Sequence, residues 1–190
     1  QGLTTAQWVS LATDDLQSLK TTQWSLMATD DLDALSTLQW AIMATDDLRA
    51  LIDAQWISLS TADFSAIGSD QWLALATADF NALLDSQWAI VTTDKLERLS
   101  TAQWAGLGIT ALQALESSQW IAVASDDLVA MSAAQWSSMA TDDLQALVES
   151  QWVAMASNDL RSLSTDQWAA MATDDLVALT TGQWSSIEVE

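Results

Sequence analysis

The chain has 190 residues, enough to bury a sizeable core, and contains neither Cys nor His. That excludes a disulfide framework, thiolate or imidazole catalysis and the commonest zinc sites. Its 26 acidic against 5 basic residues give a formal charge of −21, so the surface repels phosphate backbones and a nucleic-acid partner is not expected. Half of the residues are apolar, which does not fit an acidic disordered chain. No run of about 18 apolar residues offers a membrane span, and no basic-then-apolar leader opens the chain. It starts on Gln1 rather than Met, as a processed, excised or engineered product would.

From the first turn onward one pattern repeats. Trp8, Trp24, Trp40, Trp56, Trp72, Trp88, Trp104, Trp120, Trp136, Trp152, Trp168 and Trp184 follow each other at a constant 16-residue interval, each preceded by Gln. No insertion breaks the interval, so residues 1–190 read as a single tandem array of twelve Trp-containing units, the last incomplete. Three residues after each Trp stands an apolar side chain, from Leu11 and Met27 to Ile187; eight after it stands Leu or Phe, from Leu16 to Leu176, with another apolar residue three further on.

Each unit is therefore two octads, one carrying Gln-Trp and one carrying an acidic pair. Their apolar spacing of three, five, three, five lacks the alternation by two that a strand needs. A continuous helix fails too, because at about 100° per residue an octad drifts by about 80° and leaves no common apolar stripe. The chain must break its helix and restart. Thr13, Thr29, Thr45, Thr141 and Thr173, with Ser125 and Ser157, precede the acidic pairs and are expected to cap the restarted helices. The Asp residues after them suit the positive end of a helix dipole. The resulting expectation is an all-α solenoid with one short helix per octad and one helical hairpin per 16-residue repeat. Turns almost devoid of Gly, Asn and Pro leave one longer helix per repeat, or a β-solenoid, as alternatives. Helices shorter than about 12 residues are marginal alone, so the repeats must stack to be stable.

One octad departs from the pattern. Between Ala105 and Leu115 the Thr-Asp-Asp signal is replaced by Gly108, Ile109, Thr110 and Ala111, and a local bend or contact face is expected there. At the ends, Gln1 to Leu3 is too short to be the polar capping unit that solenoids use, and Ser185 to Glu190 offers only Glu188 and Glu190 as blunting charges. The expected partner is therefore another copy stacked end to end, or further repeats of a longer protein.

The Trp column admits two readings, a buried spine or a ladder of aromatic platforms for sugars or other flat ligands. The Gln before each Trp is expected to bond an equivalent Gln, or backbone, one repeat away. The acidic columns read as helix-start carboxylates on a solvated face. Oxygen-rich rows could also hold Ca²⁺, though neither EF-hand spacing nor a Gly-rich calcium repeat occurs, and a charge mimic of nucleic acid is a further reading. Catalysis needs a unique constellation of groups in different environments, and an array of equivalent positions provides none, so no enzyme activity and no cofactor are expected.

Stretches such as Leu99-Ser-Thr-Ala-Gln-Trp-Ala-Gly-Leu107 and Leu179-Thr-Thr-Gly-Gln-Trp184 resemble the short Thr/Ala/Leu-rich repeats of large bacterial exoproteins labelled as related to heme utilisation or adhesion. Those repeats usually carry Ile or Val where this chain has Trp, and their acidic pair is less regular. The resemblance implies a secreted or surface-exposed repeat region. It implies no heme ligand here, since His and Cys are absent and the Met residues hold core spacing. The expected function is a non-catalytic extracellular scaffold that self-associates or spaces other domains. The alternatives are a binding module presenting its Trp ladder to carbohydrate or another apolar ligand, and a designed repeat protein.

Overall fold

The computed structural model describes residues 2–187. Among them all regular structure is helical: twenty-three helices of four to six residues, one per octad, run from Thr5–Ser10 to Thr181–Ser186, and no strand forms. The chain divides into two compact units, Gln1–Val91 and Thr92–Glu190, each built in the same way.

The octad Ser132–Met139 shows how eight residues make a helix that ends on time. Ser132 is extended at φ −79°, ψ 158° and its hydroxyl accepts the N–H of Gln135, while the Gln135 side chain returns a bond to the Ser132 backbone. This reciprocal box satisfies two N–H groups that a helix start leaves open. The helix Ala133–Ser138 then stops as Met139 turns extended at φ −67°, ψ 136°, its N–H held by the Trp136 carbonyl at 3.2 Å. Ala140, extended at φ −69°, ψ 154°, starts the next helix, Thr141–Ala146. Two extended residues thus restore in every octad the phase that a continuous helix would lose. Among the described residues no φ is positive and no peptide bond is cis. The junctions use only backbone regions open to any residue, which is why they need no Gly, Asn or Pro.

The capping residues of the acidic octads differ from those expected. Thr29, Thr45 and Thr141 are the first residues of their helices, and the N-cap is the Ala before each, which has no side-chain oxygen. In some acidic octads the carboxylate at the third helical position bonds the cap backbone: the Ala76 N–H donates to Asp79 Oδ2 at 2.8 Å and that of Ala172 to Asp175 Oδ2 at 3.2 Å.

Within each unit the close pairings join helices three apart: Thr37–Ile42 with Thr61–Ala66, Ser117–Trp120 with Thr141–Ala146, and Ser125–Val129 with Glu149–Ala154. The expected hairpin of two adjacent helices is therefore replaced by stacking across successive turns of a solenoid. Two extended residues span about 7 Å, short of the 8–10 Å between packed helix axes, and no left-handed residue reverses the chain. Three is odd, so a Trp helix always lies on an acidic helix. Core side chains come from two positions per octad, the Trp or Leu/Phe and the apolar residue three later, as with Trp56 and Leu59 or Phe64 and Ile67, all 5% exposed or less. The irregular octad keeps this plan. Ile109–Gln113 is a helix with Ala111, Leu112 and Leu115 buried.

Candidate functional site

The side chains most available for a function are the repeated Trp, Gln and Asp columns. Trp24, Trp40, Trp56, Trp72, Trp88, Trp104, Trp120, Trp136 and Trp152 are at most 1% exposed, and Trp8 is buried. Trp168 is half-buried and Trp184 is 44% exposed. The interior rings meet one another: Trp72 lies 5.5 Å from Phe64 and 4.8 Å from Phe80 between centroids, and Trp104 lies 6.2 Å from Trp120. Rings enclosed on all sides are spine, and the ladder of ligand platforms is not presented. A small cleft beside Trp24, between Leu16, Gln39, Met43 and Asp47, has room for about one water molecule.

The repeated Gln, at Gln39, Gln55, Gln71, Gln87, Gln135, Gln151, Gln167 and Gln183, is the polar counterpart of that spine. Its Oε1 accepts the N–H of the cap residue of its own helix, at 2.8 Å from Val148 to Gln151 and at 2.8 Å from Ser164 to Gln167. Its Nε2 donates to two carbonyls of an earlier turn. Gln151 reaches Trp120 O at 2.9 Å and Val123 O at 2.8 Å; Gln167 reaches Trp136 O at 3.0 Å and Met139 O at 2.8 Å. In the first unit Gln55 clamps Trp24 O and Met27 O, and Gln71 clamps Trp40 O and Met43 O. The partner is backbone, as one of the expected forms had it, but it lies four helices back rather than one repeat. A Trp carbonyl already accepting the amide three residues on thus receives a second donor, in a buried setting where a neutral amide brings no charge to desolvate.

The acidic pairs split. The first Asp is exposed, as in Asp126 and Asp142, while the second position is buried in several octads, at 7% in Asp127, 5% in Asp143 and 7% in Asp159, half-buried in Asp31 and Asp175 and exposed in Asp15. The solvated face therefore holds throughout for one column only. Burial raises the carboxyl pKa of Asp47, Asp79, Asp127, Asp143, Asp159 and Asp175 above the ordinary carboxylate range. Neighbouring acids push further: Asp126 beside Asp127, and Asp142 and Glu116 beside Asp143. Hydroxyls counter it, since Thr101 donates to Asp127 at 2.8 Å and Ser117 to Asp143 at 2.9 Å. The indole N–H groups of Trp24, Trp56, Trp120 and Trp152 lie short of full hydrogen-bond geometry, yet near enough to hold down Asp47, Asp79, Asp143 and Asp175. Among the described residues no group of three or more Asp or Glu could hold a metal ion, and no helix is long and apolar enough to cross a membrane.

Two sets of contacts were not visible from the 16-residue period. One is the hydroxyl-to-Asp pairs just described. The other joins the residue after Leu in the acidic octads to the end of a Trp helix three along, as from Gln113 to Ser138 O, from Gln145 to Ala170 O and from Arg161 to Ser186 O. Their signal is a spacing of 25 or 26 residues, found only by asking what three octads bring together.

A family model described as the ALTTAQ repeat matches residues 152–187, well under half of the chain. Within the match Ala178-Leu-Thr-Thr-Gly-Gln183 spells that name with one change, and in the structure these letters are the buried end of one helix, the Thr180 cap and the Gln183 clamp of the next. The match supports a tandem-repeat protein. No curated protein matches the chain.

Proposed function

We propose that this chain is a non-catalytic structural repeat scaffold, part of a surface or secreted assembly in which it spaces other domains or self-associates. The observation that carries this reading is the use of the repeated polar column for cohesion: the amides of Gln39, Gln55, Gln71, Gln87, Gln135, Gln151, Gln167 and Gln183 are spent on inter-turn bonds. A binding or catalytic array would keep its repeated polar groups facing solvent or a pocket. Trp184 is 44% exposed, whereas Trp152 is fully buried under the Gln183 turn; a further turn of the same kind, from another copy or from more of the same protein, would bury Trp184 likewise. The extracellular setting rests on the likeness to exoprotein repeats.

Two measurements test the proposal. Tryptophan emission is expected to be blue-shifted, resistant to quencher and indifferent to sugars; red, quenchable emission that responds to sugar would overturn the scaffold reading in favour of a platform. Light scattering against concentration is expected to show growth beyond the monomer. A strict monomer at high concentration rules out self-stacking and leaves the spacer role.

A further inference from the structure

We propose that the inward Asp column makes this scaffold acid-strengthened: proton uptake by the buried Asp127, Asp143 and Asp159 and the half-buried Asp175 tightens the packing between turns, so that the solenoid is firmer in a mildly acidic environment than at neutral pH. The inference adds regulation to the repeat fold and does not depend on the scaffold's location or partners.

The geometry starts from an equivalence. Asp in the acidic octads occupies the third helical position, the position Gln holds in the Trp octads. Gln151 places an oxygen on the Val148 cap N–H, and Asp175 does the same with Ala172, whereas the helices of Asp127 and Asp143 have no such cap bond. Gln then has an amide left to donate to the turn behind it. An ionised Asp has no donor and only a second acceptor oxygen. Asp159 shows the consequence: it is 7% exposed and its Oδ2 has no hydrogen-bond partner. Asp127 and Asp143 receive hydroxyls from Thr101 and Ser117 three helices back, whereas the equivalent residue for Asp159 is Ala133. A proton on such a carboxyl removes a buried, uncompensated charge.

The groups facing the column do not reverse this. Asp126 faces Asp127, Asp142 and Glu116 face Asp143, and Asp174 faces Asp175, each raising its neighbour's proton affinity; the Trp120 and Trp152 indoles and the Thr101 and Ser117 hydroxyls oppose it in part. Burial remains the largest cause, and the net direction is upward for all four. The folded chain therefore binds these protons before the unfolded chain does. Stability is gained as pH falls from neutral through the raised folded values toward the ordinary carboxylate range, and is lost again on the way back up.

The test compares urea midpoints at pH 7 and pH 5 for the full chain and two variants. One carries Asp127→Asn, Asp143→Asn, Asp159→Asn and Asp175→Asn. The other carries Asp126→Asn, Asp142→Asn, Asp166→Asn and Asp174→Asn, which removes the same charge from exposed positions. The parent midpoint is expected to rise on acidification and to do so in high salt as well, since buried charge is poorly screened. The buried-set variant should be raised at pH 7 and lose most of the response; the exposed-set variant should keep it. Equal loss in both variants, or a parent midpoint that is flat or falls between pH 7 and pH 5, overturns the proposal. Should the buried-set variant fail to fold, Asp159→Asn alone decides by the same sign at pH 7.

Discussion

A glutamine at the third position of a short helix can accept and donate at once, and the interior repeats exploit both ends of the amide. Gln151 satisfies the Val148 N–H and two carbonyls behind it, while Gln23 is exposed and bonds only the Lys20 N–H. Gln151→Ala is therefore expected to cost about 2–3 kcal/mol, the sum of a few buried hydrogen bonds, and Gln23→Ala much less. Urea unfolding of the two variants checks the difference, and equal losses would show that the inter-turn bonds contribute nothing. At the Asp column the reverse change should help. Ala133→Ser places a hydroxyl where Thr101 and Ser117 stand relative to Asp127 and Asp143. It should stabilise the chain by about 0.5–1.5 kcal/mol and lower the Asp159 pKa, which a carboxyl-carbon NMR titration reads directly.

At the scale of the element, a helix of six residues has too few internal bonds to stand alone, so its ends and its buried residues decide its stability. Ser132→Ala removes the oxygen that caps Gln135 and is expected to cost about 1 kcal/mol; the same change at Thr141, the first residue of its helix and exposed, should cost little. A reversed order in thermal unfolding would return the capping role to the residue before the acidic pair. That pair of positions also marks what the sequence does and does not disclose. One helix per octad was legible, because only a broken helix brings Trp and the residue three later back to the same face every eight residues. The Thr and Ser before the acidic pairs point to a cap one residue late, because Ala at the N-cap carries no signal. The Gln partner was sought at one repeat, whereas it lies four helices back. The number of octads in a turn is set by how two extended junction residues aim successive helices, and no spacing within one octad records that.

At the scale of the whole molecule, the alternation of octads couples sequence period to packing. Helices three apart pair Trp octads with acidic octads, as Thr165–Ala170 does with Thr141–Ala146, so large and smaller core residues alternate between neighbours. The clamps, four helices apart, link Trp octads to Trp octads, as from Gln167 to Trp136 O. Both relations survive removal of 16 residues and neither survives removal of eight. Deleting residues 133–148 should leave a folded chain with only a modest fall in thermal midpoint, since every later helix still lies on a neighbour of the proper kind and every later Gln still faces a Trp-octad carbonyl. Deleting residues 133–140 alone shifts each nearby helix onto one of its own kind. Trp then crowds Trp while Leu faces Leu across a void, and overpacking or cavity terms cost about 1–5 kcal/mol per site. The octad deletion is accordingly expected to lower the midpoint far more than the deletion twice its size and to expose tryptophan to quencher. If the two deletions behave alike, the octad is the true unit of this solenoid, and the distinction between its Trp and acidic forms has no bearing on how the turns pack.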